Sequence, residues 1–130
     1  MARGNNVTQF KGHLSNEFQG QFKRVLCVCS AGMLRSPTIA HTLSAEPYNF
    51  NTRCAGTNNS LAIVELTDRL LLWADEVVCA DTEHAQVVTK RLGVLGLDTR
   101  VVNLRLPDIY DYRDPELVES VKVRYDNANN

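Results

Sequence analysis

The sequence lacks the features that define several common classes of protein. It has no apolar run that approaches the length of a membrane span, and residues 1–22 are polar and lack the apolar core of a secretory signal. The formal net charge is only −1, which argues against a strongly electrostatic nucleic-acid-binding protein. We therefore expect a cytoplasmic protein that binds neither nucleic acid nor membranes. Its oligomeric state is not predicted.

The four cysteines also lack the pattern of a disulfide framework or a metal site. Cys27, Cys29, Cys54 and Cys79 each lie in or beside an apolar stretch, and 130 residues suffice for one domain with its own core. Reduced thiols are therefore expected. Because no second close cysteine pair and no histidine at ligand spacing accompany them, we expect neither a metal nor another cofactor.

Short apolar stretches alternate with helical patterns between residues 23 and 124. The strands are predicted at 24–29, 51–58, 75–80 and 99–106, and the helices at 36–46, at 64–74, from Asp81 into Gly93, and at 114–125. This alternation predicts an α/β domain over 23–124, with four parallel strands between two layers of helices. Residues 1–22 are interpreted as a polar N-terminal arm and residues 125–130 as a C-terminal tail.

Residues 25–40, VLCVCSAGMLRSPTIA, combine a buried strand, a turn of small residues and a helix start at Ser36 and Pro37. Ligands of parallel sheets bind at the carboxyl ends of strands, and a helix N-terminus offers free N–H groups and a positive dipole end. Gly32 permits a tight turn. The segment therefore predicts an anion cradle. Its expected members are Ser30, Ala31, Gly32, Met33, Leu34 and Arg35.

Cys29 lies at the floor of this predicted cradle. A positive helix terminus favours the thiolate form of a cysteine, and a thiolate below a bound phosphate is a nucleophile aimed at phosphorus. Arg35 supplies a planar fork for two phosphate oxygens, and the Ser36 hydroxyl can donate to the thiolate. For Cys27 a buried core thiol is the favoured interpretation.

The segment 25–40 resembles the phosphate loop of the low-molecular-weight protein tyrosine phosphatases. CAGT at 54–57 is similar to the S-A-G-T turn of that family, LLLWADEVVCADTEH at 70–84 to its helix–strand segment, and LRLPDIYDY at 104–112 to its acid loop. The resemblance covers about residues 23–124 of a short, divergent chain. It implies a flavodoxin-like fold and a metal-free phosphatase, acting through a cysteinyl-phosphate on phosphotyrosine-containing proteins or other aryl phosphates. The implied roles are nucleophile for Cys29, phosphate and transition-state binding for Arg35, and thiolate support for Ser36.

The chain departs from the family pattern in three places. Gly32 replaces an asparagine of the loop, and Leu34 replaces a second loop cysteine, so a disulfide between two loop cysteines is not available. The stretch after CAGT is short, which predicts a low and open pocket rim and weakens the inference of strict phosphotyrosine specificity. Tyr110 and Tyr112 are expected to form walls that stack on a substrate ring.

Cleavage of a phosphate ester needs a proton donor for the leaving oxygen, and three aspartates are candidates. Asp108 is favoured because it follows the last strand and precedes Tyr110 by two residues, and Asp111 is second. Asp114 precedes a proline and an apolar helical pattern, so it is interpreted as a helix cap. Asp81 is likewise interpreted as a cap, whereas a role for His84 stays open.

Two other functions remain open at this stage. A thiol-dependent arsenate reductase would need a relay of cysteines, and Cys79 lies near the required place, but no second cysteine follows it. A catalytically weak module that binds phosphate or phosphopeptides is favoured by Gly32 and by Ile109, which stands where the family has proline.

Overall fold

The computed structural model describes residues 22–30, 35–58, 64–107 and 114–129. Strands and helices alternate along this part of the chain. In order they are β1 (Arg24–Cys29), α1 (Arg35–Ser44), β2 (Asn51–Gly56), α2 (Asp68–Trp73), β3 (Glu76–Cys79), α3 (Thr82–Leu95), β4 (Arg100–Asn103) and α4 (Pro115–Ala128). The strands form one parallel sheet in the order β2-β1-β3-β4, which confirms the predicted flavodoxin-like α/β fold.

Helices cover both faces of the sheet because its central strands are apolar on both sides. Side chains of β1 alternate between two cores: Cys27 and Cys29 face one core, whereas Leu26 and Val28 face the other. α1 and α4 pack on the first face, and α2 and α3 pack on the second. The short, continuous apolar run of β1 therefore places that strand inside a three-layer domain.

The second predicted helix is shorter than the sequence pattern indicates. α2 begins at Asp68 and not near Val64, because the Thr67 side chain accepts the N–H of Leu70 and caps the helix there. Glu65 forms a parallel bridge with Gly56, which continues the sheet for one residue, and Val64 is 46% exposed. The apolar spacing at 64–66 therefore belongs to an extended segment at the edge of the sheet.

The last two helices extend beyond their predicted ends. Gly93 lies inside α3, and the chain leaves the helix at Gly96, whose φ of 71° suits a residue without a side chain. α4 runs to Ala128, past the predicted domain end at residue 124, because Tyr125 is buried against the core. The predicted tail at 125–130 is therefore largely helix. Residues 1–21 of the predicted arm and Asn130 lie outside the described ranges.

A buried polar cluster lies at the amino-terminal ends of the strands, opposite to the end of the sheet where Cys29 lies. Glu76 is 2% exposed, and its Oε1 accepts the Tyr125 hydroxyl at 2.7 Å. Two cations offset the carboxylate charge: Lys23 Nζ lies 3.3 Å from Oε1, and Arg100 Nε lies 3.4 Å from Oε2. Burial, and then Glu76, raise the pKa of Tyr125. The cluster joins α4 to β3, β4 and the residue that precedes β1.

We expect Tyr125→Phe to lower the free energy of unfolding by about 1–3 kcal/mol, because the buried Glu76 carboxylate loses its 2.7 Å hydrogen bond and keeps only the longer contact of Lys23 at the same oxygen. Tyr48→Phe is the matched control, since the Tyr48 hydroxyl donates to Asp126 at an exposed position where water can replace it. That control should change stability by less than about 0.5 kcal/mol. Urea unfolding of the two variants measures the difference, and equal losses would contradict this role of the cluster.

Candidate active site

The candidate site lies at the carboxyl end of β1, at the point where the chain changes direction across the sheet. β1 is central: β2, the next strand in the chain, pairs on one side of it, and β3 pairs on the other. Such a switch point leaves a crevice beyond the strand ends, because the connections on its two sides run to opposite faces. Cys29, the last residue of β1, occupies this position.

Cys29 and Ser36 contact each other at the floor of the crevice. The Cys29 Sγ lies 3.3 Å from the Ser36 Oγ, so the thiol donates to the hydroxyl, and a thiolate would accept the hydroxyl hydrogen. Ser36 is fully buried and Cys29 is 3% exposed. α1 begins at Arg35, one residue before the predicted cap. The Ser36 hydroxyl therefore lies inside the first turn of the helix, where it contacts the Cys29 thiol. The prediction that Ser36 caps the helix is wrong.

Arg35 is the first residue of α1 and is 7% exposed. Its Nη1 donates to the carbonyl oxygen of Leu106 at 3.1 Å, across the site from α1 to the chain beyond β4. The N–H of Leu106 donates to the carbonyl of Ala80 at 2.7 Å, so Leu106 is held on both sides. Arg105, with a φ of 53°, makes the turn that brings Leu106 there. The guanidinium therefore lies beside the start of the predicted acid loop.

Ser30 follows the candidate nucleophile and is fixed by neighbouring elements. Its carbonyl accepts the N–H of Asn58 at 2.8 Å, just as the carbonyl of Cys29 accepts the N–H of Thr57 at 2.9 Å. Its hydroxyl lies 2.9 Å from Nε2 of His84, in the first turn of α3. The chain thus leaves β1 in a conformation that both β2 and α3 determine.

Cys54 is a residue of the site that the sequence analysis did not assign to it. It packs against the same core cluster as Cys29. Burial raises the pKa of Cys54, the neighbouring Cys29 raises it further, and the Ser36 hydroxyl lowers it. The sequence held one signal for this placement, since CAGT at 54–57 contains the end of the strand that pairs with β1.

The other two cysteines lie in the interior. Burial raises the pKa of Cys27 well above its usual value, and it raises the pKa of Cys79 to about 12. Cys79 faces the core formed with α2 and α3, on the side of the sheet away from Cys29. Both thiols are therefore protonated at neutral pH, and the sheet separates Cys79 from the crevice.

Asp114 and Asp81 are helix caps, as the sequence predicts. The Asp114 side chain accepts the N–H of Glu116 at 2.9 Å, and the Asp81 side chain accepts the N–H of Thr82 at 2.8 Å. The remaining predicted site residues lie outside the described residues. They are Ala31, Gly32, Met33 and Leu34 of the loop, and Asp108, Tyr110, Asp111 and Tyr112 of the acid segment.

The described residues contain no group of three His, Cys, Asp or Glu side chains that could hold a metal ion.

The first turn of α1 carries no acidic residue, so the positive end of this helix is not offset by a neighbouring carboxylate of its own turn. Among the described helices, none combines the length and the apolar character needed to cross a membrane.

Comparison with protein-family models and with curated protein sequences finds no match. Solved structures do match. A YwlE arginine phosphatase variant with a phosphorylated active-site serine is 19% identical, with a TM-score of 0.58, over 79% of this chain and 94% of that one. Wzb of Vibrio vulnificus, in complex with benzylphosphonate, is 17% identical, with a TM-score of 0.58, over 83% and 95%. A low-molecular-weight phosphotyrosine phosphatase of Vibrio cholerae O395 is 16% identical, with a TM-score of 0.59, over 82% and 95%.

These similarities define the class of the fold. The chain has the three-layer fold of the low-molecular-weight protein tyrosine phosphatases, and it spans nearly the whole length of the matched structures. The resemblance stated from the sequence is thereby confirmed for the fold.

Proposed function

We propose that this protein is a cysteine-dependent phosphomonoesterase that acts on aryl phosphates, with phosphotyrosine in proteins as its physiological target. The observation that carries the proposal is the contact of Cys29 Sγ with Ser36 Oγ at 3.3 Å, where the central strand meets the N-terminus of α1. A thiol, a hydroxyl donor and a buried arginine converge there. In this proposal the thiol of Cys29 is the nucleophile, the hydroxyl of Ser36 supports the thiolate, and Arg35 binds the phosphate.

The reaction proceeds in two steps. The Cys29 thiolate attacks phosphorus, the bond to the ester oxygen breaks, and the leaving oxygen takes a proton from Asp108. Water then attacks the cysteinyl-phosphate, gives its proton to the Asp108 carboxylate and releases phosphate, while the Ser36 hydroxyl donates to the departing thiolate. Arg35 and the loop amides bind the phosphoryl oxygens, whose spacing changes most in the transition state.

Two contacts support Asp108 as the acid. Leu106 is bound by Arg35, and Asp108 follows it by two residues, a span of at most about 7 Å. Asp114, in contrast, is engaged as the cap of α4. Asp111 remains second among the candidates, and Tyr110 and Tyr112 remain proposed walls for the substrate ring.

The matched structures suggest the chemical class of substrate. Wzb is described with benzylphosphonate, which joins an aromatic ring to a phosphonate, and a second match is a phosphotyrosine phosphatase. YwlE is described as an arginine phosphatase, so phosphoarginine is a second substrate to test. A reducing compartment such as the cytoplasm would keep Cys29 available as a thiol.

The two rival functions have less support. Arsenate reduction through Cys79 conflicts with the burial of that thiol on the opposite face of the sheet. A phosphate-binding module would share the cradle but would not turn over substrate.

Turnover of para-nitrophenyl phosphate in buffer with EDTA tests the proposal and separates it from the binding module. We expect steady release of nitrophenol, unchanged by EDTA, with competitive inhibition by phosphate. Activity only after a divalent ion is added would contradict the metal-free mechanism, and binding of phosphate without turnover would favour the module.

We expect Asp108→Asn to lower kcat most with poor leaving groups such as phosphotyrosine, because those need a proton as they depart. The basic limb of the pH–rate profile should flatten, since that limb reports a protonated acid. Asp114→Asn is the matched control: asparagine caps a helix nearly as well as aspartate, so the leaving-group dependence should not change. A steep dependence that appears in Asp111→Asn, and not in Asp108→Asn, would transfer the role to Asp111.

A further inference from the structure

His84 is a fully buried histidine at the mouth of the site, and the proposed mechanism gives it no role. It lies in the first turn of α3, where its outer nitrogen is 3.3 Å from Oε1 of the exposed Glu83 of the same turn. That nitrogen, Nε2, lies 2.9 Å from the hydroxyl of Ser30, the residue after the candidate nucleophile.

The hydrogen bonds of the ring fix its tautomer. Nδ1 accepts the N–H of Asp81 at 3.1 Å, so the hydrogen of the neutral ring is on Nε2, which donates to the Ser30 hydroxyl. The Ser30 hydroxyl lies 3.4 Å from the carboxylate of Glu83, to which it donates in turn. A chain of hydrogen bonds thus runs from the N-cap of α3 through His84 to Ser30.

These hydrogen bonds add to the backbone contacts that already hold Ser30. The carbonyls of Cys29 and Ser30 bond to the N–H groups of Thr57 and Asn58, which fixes the main chain on the β2 side. In a planar trans peptide the N–H points opposite to the carbonyl, so the Ser30 N–H is directed away from β2. His84 fixes the side chain of Ser30 from the other flank. The backbone at the entrance of the loop is therefore held from two directions.

We propose that His84 is a positioning residue: through the Ser30 hydroxyl it fixes the start of the phosphate loop and so the amide field around Cys29. The role in turnover rests on the proposed phosphatase function. Loss of this bond removes the restraint that His84 places on the Ser30 side chain, and the start of the loop must then be ordered during the reaction, which lowers kcat. The thiolate of Cys29 also loses part of its fixed surroundings, so its formation shifts to higher pH.

Two substitutions of His84 separate the bond to Ser30 from the bond to Asp81. His84→Asn keeps an acceptor near the position of Nδ1, so the cap of α3 survives, but the shorter side chain does not reach Ser30. His84→Gln extends to the position of Nε2, and its amide carries both a donor and an acceptor; glutamine is also favoured at this position of a capping box. Ser30→Ala removes the same bond from the loop side.

We expect His84→Asn and Ser30→Ala each to lower kcat about tenfold with little change in KM, the size expected for one lost buried hydrogen bond. Both should shift the pH profile of Cys29 alkylation by iodoacetate to higher pH. His84→Gln should restore both quantities to within about twofold of wild type. The variant that combines His84→Asn with Ser30→Ala should be no worse than either single variant, because both remove one interaction.

Thr82→Ala is the matched control on the same turn of α3, where the Thr82 hydroxyl bonds to Asn103 at an exposed position. It should leave kcat and the alkylation profile unchanged. Should His84→Asn fail to fold, Ser30→Ala and His84→Gln carry the comparison. The proposal is overturned if His84→Gln is as impaired as His84→Asn, if the effects of His84→Asn and Ser30→Ala add, or if neither moves the alkylation profile.

The alkylation arm distinguishes failure of this inference from failure of the proposed function. If the wild-type protein turns over no substrate, the function is wrong. The pH profile of Cys29 alkylation in the same variants then decides on His84 by itself.

Discussion

Cys29→Ser is expected to reduce turnover of para-nitrophenyl phosphate below detection while the protein stays folded. A serine hydroxyl is far less acidic than a thiol, so it is not ionised in the same surroundings and does not attack phosphorus at a useful rate. The side chains differ little in size, and the 3.3 Å contact with Ser36 can persist as a bond between two hydroxyls. Steady-state kinetics with Tm as the folding control measures the effect.

Cys27→Ala and Cys79→Ala are the matched controls for this prediction. Both thiols are fully buried, and neither is assigned a role in the reaction. They should lose some stability, because small cavities are left in the core, and keep most of the wild-type kcat. If Cys29→Ser retained activity, or if Cys79→Ala lost as much as Cys29→Ser, the assignment of the nucleophile would be wrong.

Arg35→Lys is expected to lower kcat at least about 100-fold, as for a lost oxyanion contact, with a smaller change in KM. Lysine keeps the positive charge but cannot bind two phosphoryl oxygens with a planar fork. That fork matters most in the transition state, where the equatorial oxygens spread. The bond from Arg35 to the Leu106 carbonyl also requires a reach that lysine reproduces poorly, so the acid segment loses a contact.

Arg53→Lys is a suitable control for the loss of a guanidinium. Arg53 lies on β2, and its guanidinium is placed over the ring of Trp73, with 4.9 Å between Cζ and the ring centroid. It has no assigned role in the reaction. Its kcat should stay near that of wild type. An effect of Arg35→Lys confined to KM, with kcat unchanged, would indicate uniform binding of substrate and transition state and would contradict the role given to Arg35.

The parts of the fold that the sequence predicts are those that local patterns determine. The apolar run of β1 marks a strand buried on both faces, and Asp114 followed by Pro115 marks the start of α4. Cys29 ends β1 and Arg35 begins α1, the next element along the chain. In each case the signal lies within a few residues of the feature.

The features that were missed or misplaced depend on contacts between distant parts of the chain. Ser36 matches the sequence pattern of a helix cap, but it lies inside α1 and its hydroxyl contacts Cys29. Val64 fits a helical pattern, yet the pairing of Glu65 with Gly56 holds it extended. Tyr125 falls in the predicted C-terminal tail, but its hydroxyl donates to Glu76, 49 residues away in the sequence.

The same limit applies inside the candidate site. The bond between Ser30 and His84 joins residues 54 apart in the sequence, and nothing local to either residue predicts it. Cys54 lies near Cys29 because β2 pairs with β1 in a register that places Cys54 beside Cys27 and Gly56 beside Cys29. Sequence patterns thus single out Cys29 and Arg35 as candidates, whereas the residues that contact them emerge only from the packed sheet.

Trapping of the covalent intermediate tests the central claim most directly. The Asp108→Asn variant should still form the cysteinyl-phosphate from para-nitrophenyl phosphate, whose leaving group needs little protonation, and hydrolyse it slowly because the base for water is missing. Acid quench during turnover, followed by peptide mass spectrometry, should then find one phosphoryl group on the peptide that contains Cys29. Phosphate on another residue, or turnover that proceeds with no phosphorylated peptide, would contradict the account.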